Sequence, residues 1–200
     1  MTDDLVLPVG DYAAYLFDLD GTVADSMPLH FVAWSKAIAE HGGQFPEPVF
    51  YEMGGIPLPR TVELLNERYG TAMDPEAVVH RKEALYLTML DELQPVRSVL
   101  QVIEANAGRI PFAIVSGSPR NSIERTLATL GLAGYFSVIV GAEDYRHGKP
   151  APEPFLKAAE LLGVEPARCL VFEDAEAGIA SARAAGMDFV RIPQSPLSPG

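Results

Sequence analysis

Four short apolar runs punctuate the chain: Ala13–Phe17, Phe112–Val115, Val138–Val140 and Cys169–Phe172, with Phe189–Ile192 a weaker fifth. They are apolar throughout rather than alternating. A strand covered on one face reads with period two, whereas a strand buried on both faces is continuously apolar. These runs therefore predict strands inside a parallel sheet. Helical patterns lie between them at Ser122–Leu130, Pro154–Leu162 and Ala175–Ala185. Strand and helix in alternation predict an α/β fold, a Rossmann-like doubly wound parallel sheet with crossover helices. Three runs end in polar residues: Phe17 gives way to Asp18, Val115 to Ser116, and Phe172 to Glu173-Asp174. Open α/β sheets bind ligands outside the carboxyl ends of their strands, so these polar ends are expected to converge on one cleft.

The alternation breaks between Pro28 and Leu93. That stretch reads as helices at Leu29–His41, Pro59–Tyr69 and Pro75–Leu90, punctuated by Gly42-Gly43, Gly54-Gly55 and Gly70. It predicts an inserted helical cap at 28–93 on a core formed by 1–27 and 94–200. The hinges fall near Ser26–Pro28 and Leu93–Pro95. From Pro193 to Gly200 three prolines and no periodicity predict an extended tail.

Composition adds limits. The 200 residues include 15 basic and 27 acidic side chains, a net charge of −12. With 48% apolar and 21% charged residues the chain fits a soluble globular protein and not a disordered one. The acidic balance argues against a broad nucleic-acid or anionic-membrane footprint, yet a phosphate ligand needs only a few local donors. No apolar run approaches the ~18 residues of a membrane span. Met1-Thr2-Asp3-Asp4 lacks the basic start of a signal peptide. The single cysteine, Cys169, excludes an intramolecular disulfide and a Cys-rich zinc site, and its place in a strand reads as core. A cytoplasmic monomer is expected.

Candidate chemistry sits at the strand ends. In Phe17-Asp18-Leu19-Asp20-Gly21-Thr22 two carboxylates follow a buried strand, and the glycine lets the chain turn away. Acids so close repel unless one is protonated or a cation lies between them, and a hard divalent ion such as Mg²⁺ suits oxygen ligands. The bland alternative is that Asp18, Asp20 and Asp25 are solvated loop acids. Glu173-Asp174 is a second acidic strand end, or else a pair that complements the dipole of the following helix. Ser116-Gly117-Ser118 offers hydroxyls and backbone N–H groups to a phosphate oxygen, or simply caps a helix. Lys149, before Pro150-Ala151-Pro152, is placed to neutralise phosphate charge, unless it is a surface lysine.

Together these four segments, in this order, resemble the motifs of the haloacid dehalogenase-like hydrolase superfamily. The helical insertion looks like that superfamily's small α-helical cap. The resemblance spans roughly Tyr12 to Ile192 and is strongest for β-phosphoglucomutase-like members, with Asp25, His30, Trp34, Gly55, Arg60 and Lys82 matching that group. It implies that Asp18 attacks phosphorus to form an aspartyl phosphate and that Asp20 serves as acid and base. Mg²⁺ would be held by Asp18, the Asp20 backbone carbonyl, Asp174 and Glu173, with Asp174 ranked above Glu173. Ser116 and Lys149 would hold phosphate oxygens. Ser118, Arg60, Lys82 and His30 are candidates for contacting a small phosphorylated substrate, with His30 alternatively orienting Asp20. Trp34 reads as cap packing.

Mutases of this group carry Ser-Lys-Asn after the second motif, where this chain has Ser118-Pro119-Arg120, and they carry Val where it has Thr22. Gln94-Pro95-Val96-Arg97 also lacks the usual Pro-Gly and looks more like the fructose-1-phosphatase-type branch. These departures favour a phosphatase of small phosphomonoesters such as sugar phosphates over a phosphomutase. A non-catalytic phosphoacceptor domain is the third reading. The helical cap and the Asp-x-Asp spacing speak against it.

Overall fold

Every residue of β1 (Ala14–Phe17) is buried, and its side chains enter two different cores. The computed structural model describes residues 5–54 and 56–193. The expectations placed on Met1–Asp4, on Gly55 and on the tail beyond Pro193 lie outside them. From β1 the chain runs through α1 (Met27–Glu40), α2 (Glu47–Glu52), α3 (Leu58–Tyr69) and α4 (Pro75–Leu87). It returns through α5 (Arg97–Asn106) to β2 (Phe112–Val115), α6 (Arg120–Thr129) and β3 (Val138–Val140). It ends with α7 (Glu153–Leu162), β4 (Cys169–Glu173), α8 (Glu176–Ala184) and β5 (Asp188–Arg191).

All strand pairings are parallel, in the order β3-β2-β1-β4-β5. Tyr15 and Phe17 face a core shared with Val99 and Ile103 of α5 and Ile123 and Leu127 of α6. Ala14 and Leu16 face the opposite core, with Phe155 and Ala158 of α7 and Ala182 of α8. Double coverage is why the strand sequences do not alternate. Phe17 stacks on Phe172 of β4 with ring centroids 4.5 Å apart, which ties the central pair of strands together. The strand order runs outward on both sides of β1, so its carboxyl end, flanked by β2 and β4, is the natural crevice.

In the helical block, α1 packs on α4 and α4 on α3. These helices enclose a separate cluster that includes Trp34, Phe45, Phe50, Val62 and Leu65. The two connecting segments run side by side: the Asp25 N–H donates to the Gln94 carbonyl at 2.9 Å and the Val96 N–H to the Val23 carbonyl at 3.0 Å.

Two helices were not expected from the sequence. α2 is too short for a period to show, and it forms because Val49 and Phe50 are buried in the cap cluster. α5 buries Val99 and Ile103 and packs Leu100 and Val102 on the same core, an apolar pattern of helical spacing that the sequence does carry. The helix expected to reach Leu90 ends at Leu87, and Leu90–Glu92 form a 3₁₀ turn instead. Other boundaries differ by one or two residues, as helix and strand ends commonly do. Among the described residues no helix is long and apolar enough to cross a membrane.

Candidate active site

Asp18 continues the β1–β4 ladder, its N–H donating to the Phe172 carbonyl at 3.0 Å, so its side chain leaves the sheet at the crevice. Three residues on, Gly21 turns the chain at φ +86°, and a Cβ there would stand 2.7 Å from Asp174 Oδ2. The turn needs both the positive φ and the missing side chain. β2 places Ser116, β4 places Glu173 and Asp174, and the loop before α7 places Lys149. All of these residues line one cavity of about 470 Å³ between the sheet and the helical block.

The two neighbouring carboxylates have separate partners. Lys149 Nζ donates to Asp18 Oδ1 at 2.6 Å, to Glu173 Oε2 at 2.7 Å and to the Val115 carbonyl at 3.1 Å. Glu173 Oε1 accepts from the Ala175 N–H at 3.1 Å, so both Glu173 oxygens are engaged. Asp20 Oδ1 meets Ser26 Oγ at 2.7 Å and His30 Nε2 at 2.8 Å. Its Oδ2 accepts from Ser118 Oγ at 2.9 Å and from Ser116 Oγ at 3.4 Å. Burial, and then the charge of Glu173, push Asp18 up to about 8 against the pull of Lys149. Burial alone would raise Asp20 too, but the charge of His30 and hydrogen bonds from His30 and Ser26 hold it well below the carboxylate range. The two acids thus stand in different surroundings, Asp18 on Lys149 beside Glu173 and Asp20 on His30 and serine hydroxyls.

Asp18, Glu173 and Asp174 are buried, and their ligand oxygens lie within 4.8 Å of one another. Three acids stand near one ammonium, and burial first, then the neighbouring carboxylates, raise Asp18 and Glu173 against the pull of Lys149. Hard oxygen donors with uncompensated charge fit Mg²⁺. Thr22 Oγ1 donates to Asp174 Oδ1 at 3.3 Å. The Asp20 carboxylate, engaged by His30, Ser26 and Ser118, is outside this group, and the resemblance implies only its backbone carbonyl as a ligand.

Of the cap residues expected to contact substrate, the structure places Arg60 away from the cavity and Lys82 and His30 on its wall. Arg60 does not line the cavity: it is about half exposed, at 47%, and its Nη1 pairs with Glu63 at 2.8 Å and Glu67 at 3.1 Å on its own helix. These acids share its stripe of α3, which draws the guanidinium outward. Lys82 does line the cavity, but its Nζ is 2.6 Å from Glu83 Oε1 and lies over the Trp34 and Tyr86 rings. His30 is occupied by Asp20, the alternative role its position allowed. Arg120 also turns away, toward the Ile139 carbonyl at 2.9 Å and Asp144 at 2.7 Å. Trp34 packs in the cap cluster, edge-on to Phe45, and Cys169 is buried.

Ser26, Tyr86 and Tyr145 went unnoticed in the sequence. Ser26 stands there only as one end of a hinge, and Tyr145, whose hydroxyl donates to the Ser116 carbonyl at 3.1 Å, sits in a loop without any pattern. Tyr86 carried a signal, because it follows Lys82 by one helical turn.

The chain belongs to the haloacid dehalogenase-like hydrolases, whose family model matches residues 12–186. Among its relatives, fructose-1-phosphate phosphatase YqaB of Escherichia coli is 39% identical over 90% of this chain and 96% of its own. The β-phosphoglucomutase of Bacillus subtilis is 32% identical over 90% of this chain and 83% of its own. A crystal structure of β-phosphoglucomutase from Clostridium difficile superposes with a TM-score of 0.76 at 28% identity, covering 89% of this chain and 83% of that one. The chain is thus an enzyme of this hydrolase family, which leaves no support for a purely signalling phosphoacceptor.

Proposed function

We propose that the protein hydrolyses small phosphomonoesters, sugar phosphates among them, with Mg²⁺ as cofactor and Asp18 as nucleophile. The observation that carries this reading is the division of labour between Asp18 and Asp20, held by different partners in one cleft. Asp18 attacks phosphorus and the ester P–O bond breaks. His30 Nε2, at 2.8 Å from Asp20 Oδ1, loads Asp20 with a proton before the bond breaks, and the leaving oxygen takes that proton, which leaves Asp20 as the carboxylate. Water then gives a proton to Asp20 and attacks the aspartyl phosphate, releasing phosphate and freeing Asp18. Lys149 and Ser116 hold phosphate oxygens and offset developing charge. Asp18, Asp174 and the Asp20 carbonyl would hold the metal, with Glu173 chiefly the anchor of Lys149. Bound Mg²⁺ supplies Lewis-acid stabilisation of the phosphoryl oxygens. The helical block at 28–93 would act as the cap that excludes water and reads the alcohol.

Hydrolysis is favoured over mutase chemistry because Pro119 stands where mutases of this group carry lysine, and because Arg60 and Arg120 are tied to acids outside the cavity, while Lys82 and Arg146 line it. The relationship to YqaB supports the same choice. The test is Mg²⁺-dependent phosphate release from fructose 1-phosphate, glucose 6-phosphate, 6-phosphogluconate and β-glucose 1-phosphate. Free phosphate from one or a few of them, lost in Asp18→Asn, is expected. Conversion of β-glucose 1-phosphate to glucose 6-phosphate with little free phosphate would establish a mutase instead.

A further inference from the structure

Two polar stripes meet where the helical block touches the sheet domain. On α6, Ser122 and Thr126 lie one turn apart and are only 3% and 1% exposed. Opposite them on α4 are Glu83 and Tyr86. Ser122 Oγ donates to Glu83 Oε2, and the Tyr86 hydroxyl is 2.9 Å from Thr126 Oγ1. Buried polar groups cost stability unless paired, and here each satisfies another across the seam.

Both ties lead back to Asp20. The Tyr86 ring stacks on the His30 imidazole with centroids 4.1 Å apart and planes 15° apart. That stack fixes the plane in which His30 Nε2 reaches Asp20 Oδ1. Glu83 grips Lys82 through its other oxygen, and the Lys82 ammonium lies 5.4 Å from the Tyr86 ring centroid. His30 Nδ1 is buried without a hydrogen-bond partner, so no polar contact on that side fixes the ring. Its orientation depends on the stack.

We propose that Glu83 and Tyr86 are positioning residues: clasped to α6 by Ser122 and Thr126, they hold His30 and Lys82 in register with Asp20. The kinetic part of this inference rests on the phosphatase reading, while the structural part does not. A small displacement of a proton donor costs rate rather than binding, since the donor acts in the transition state.

The experiment cuts both ties from the core side with Ser122→Ala/Thr126→Val, which changes neither α4 nor the cleft. Its readouts are kcat and KM for fructose 1-phosphate, thermal unfolding, and the imidazole ¹⁵N chemical shifts of His30. Expected are a fall of about tenfold in kcat with KM within about twofold, together with displaced His30 resonances. Thr126→Ser, which keeps the hydroxyl, should restore much of the rate lost in Thr126→Val. Unchanged His30 resonances and unchanged kcat per folded molecule, whatever the melting temperature, would overturn the proposal. If the double variant does not fold, Tyr86→Phe and Ser122→Ala singly are read by the same criteria. Should no phosphomonoester be hydrolysed by the parent protein, the His30 resonances still decide the clasp separately from the activity.

Discussion

A Cβ on Gly178 would stand 1.9 Å from Glu173 Oε2, closer than any side chain can tolerate. Gly178 lies in α8, where alanine would ordinarily favour the helix by about 1 kcal/mol. Here Glu173 is buried and holds Lys149, so it has no room to withdraw. Gly178→Ala should lower the melting temperature, as overpacked sites do at a cost of about 1–3 kcal/mol. It should also reduce phosphate release by displacing Lys149 from Asp18. An alanine variant as stable and as active as its parent would contradict this geometry.

The carboxylate cluster makes a prediction about metal. Asp18, Glu173 and Asp174 repel in the absence of a cation, so Mg²⁺ should raise the melting temperature. Saturation at about 100 times its dissociation constant corresponds to roughly 2.7 kcal/mol. Asp174→Asn should abolish that shift, and thermal unfolding with and without Mg²⁺ reads both effects. An equal Mg²⁺ shift in the variant would remove Asp174 from the ligand set.

Arg60 and Arg120 offer a contrast. Because both guanidiniums are held by acids outside the cavity, Arg60→Ala and Arg120→Ala should leave KM and kcat for the best substrate within about twofold of the parent, the small effect expected of surface sites. A large rise in KM in either variant would place that arginine on the substrate after all.

Glu83 supplies a pH test. Its burial alone would raise its pKa, but the charge and hydrogen bond of Lys82 and the bond from Ser122 hold it below the ordinary value. A folded pKa lower than the unfolded one adds stability above the unfolded value, about 4.3 for Glu. That contribution disappears as pH falls through the lower, folded value. The melting-temperature difference between the parent and Glu83→Gln should therefore be widest near neutrality and shrink in acid. A gap that stays constant from pH 7 to pH 3 would show that the ion pair is not its source.

The parallel sheet was legible along the chain because strands buried on both faces have nothing polar to alternate with. Ala14–Phe17, Phe112–Val115 and Cys169–Glu173 stand where their apolar runs stand. Asp18, Asp20, Ser116, Lys149, Glu173 and Asp174 could be singled out because a parallel sheet brings its strand ends to one edge. α2 stayed hidden because a six-residue helix is shorter than two turns, and burial of Val49 and Phe50 makes it form.

What remained open was the direction in which long side chains point. Arg60 and Arg120 are each compatible with a cleft by position, yet Glu63 and Glu67 hold Arg60 on its own helix and Asp144 holds Arg120, both outside the cavity, while Lys82 stays on the cavity wall with Glu83 at its ammonium. The linear order identifies the groups that carry the chemistry. The folded packing of α1, α4 and α6 selects which of them Asp20 meets, since a flexible side chain goes to the nearest group able to satisfy its charge once water is excluded.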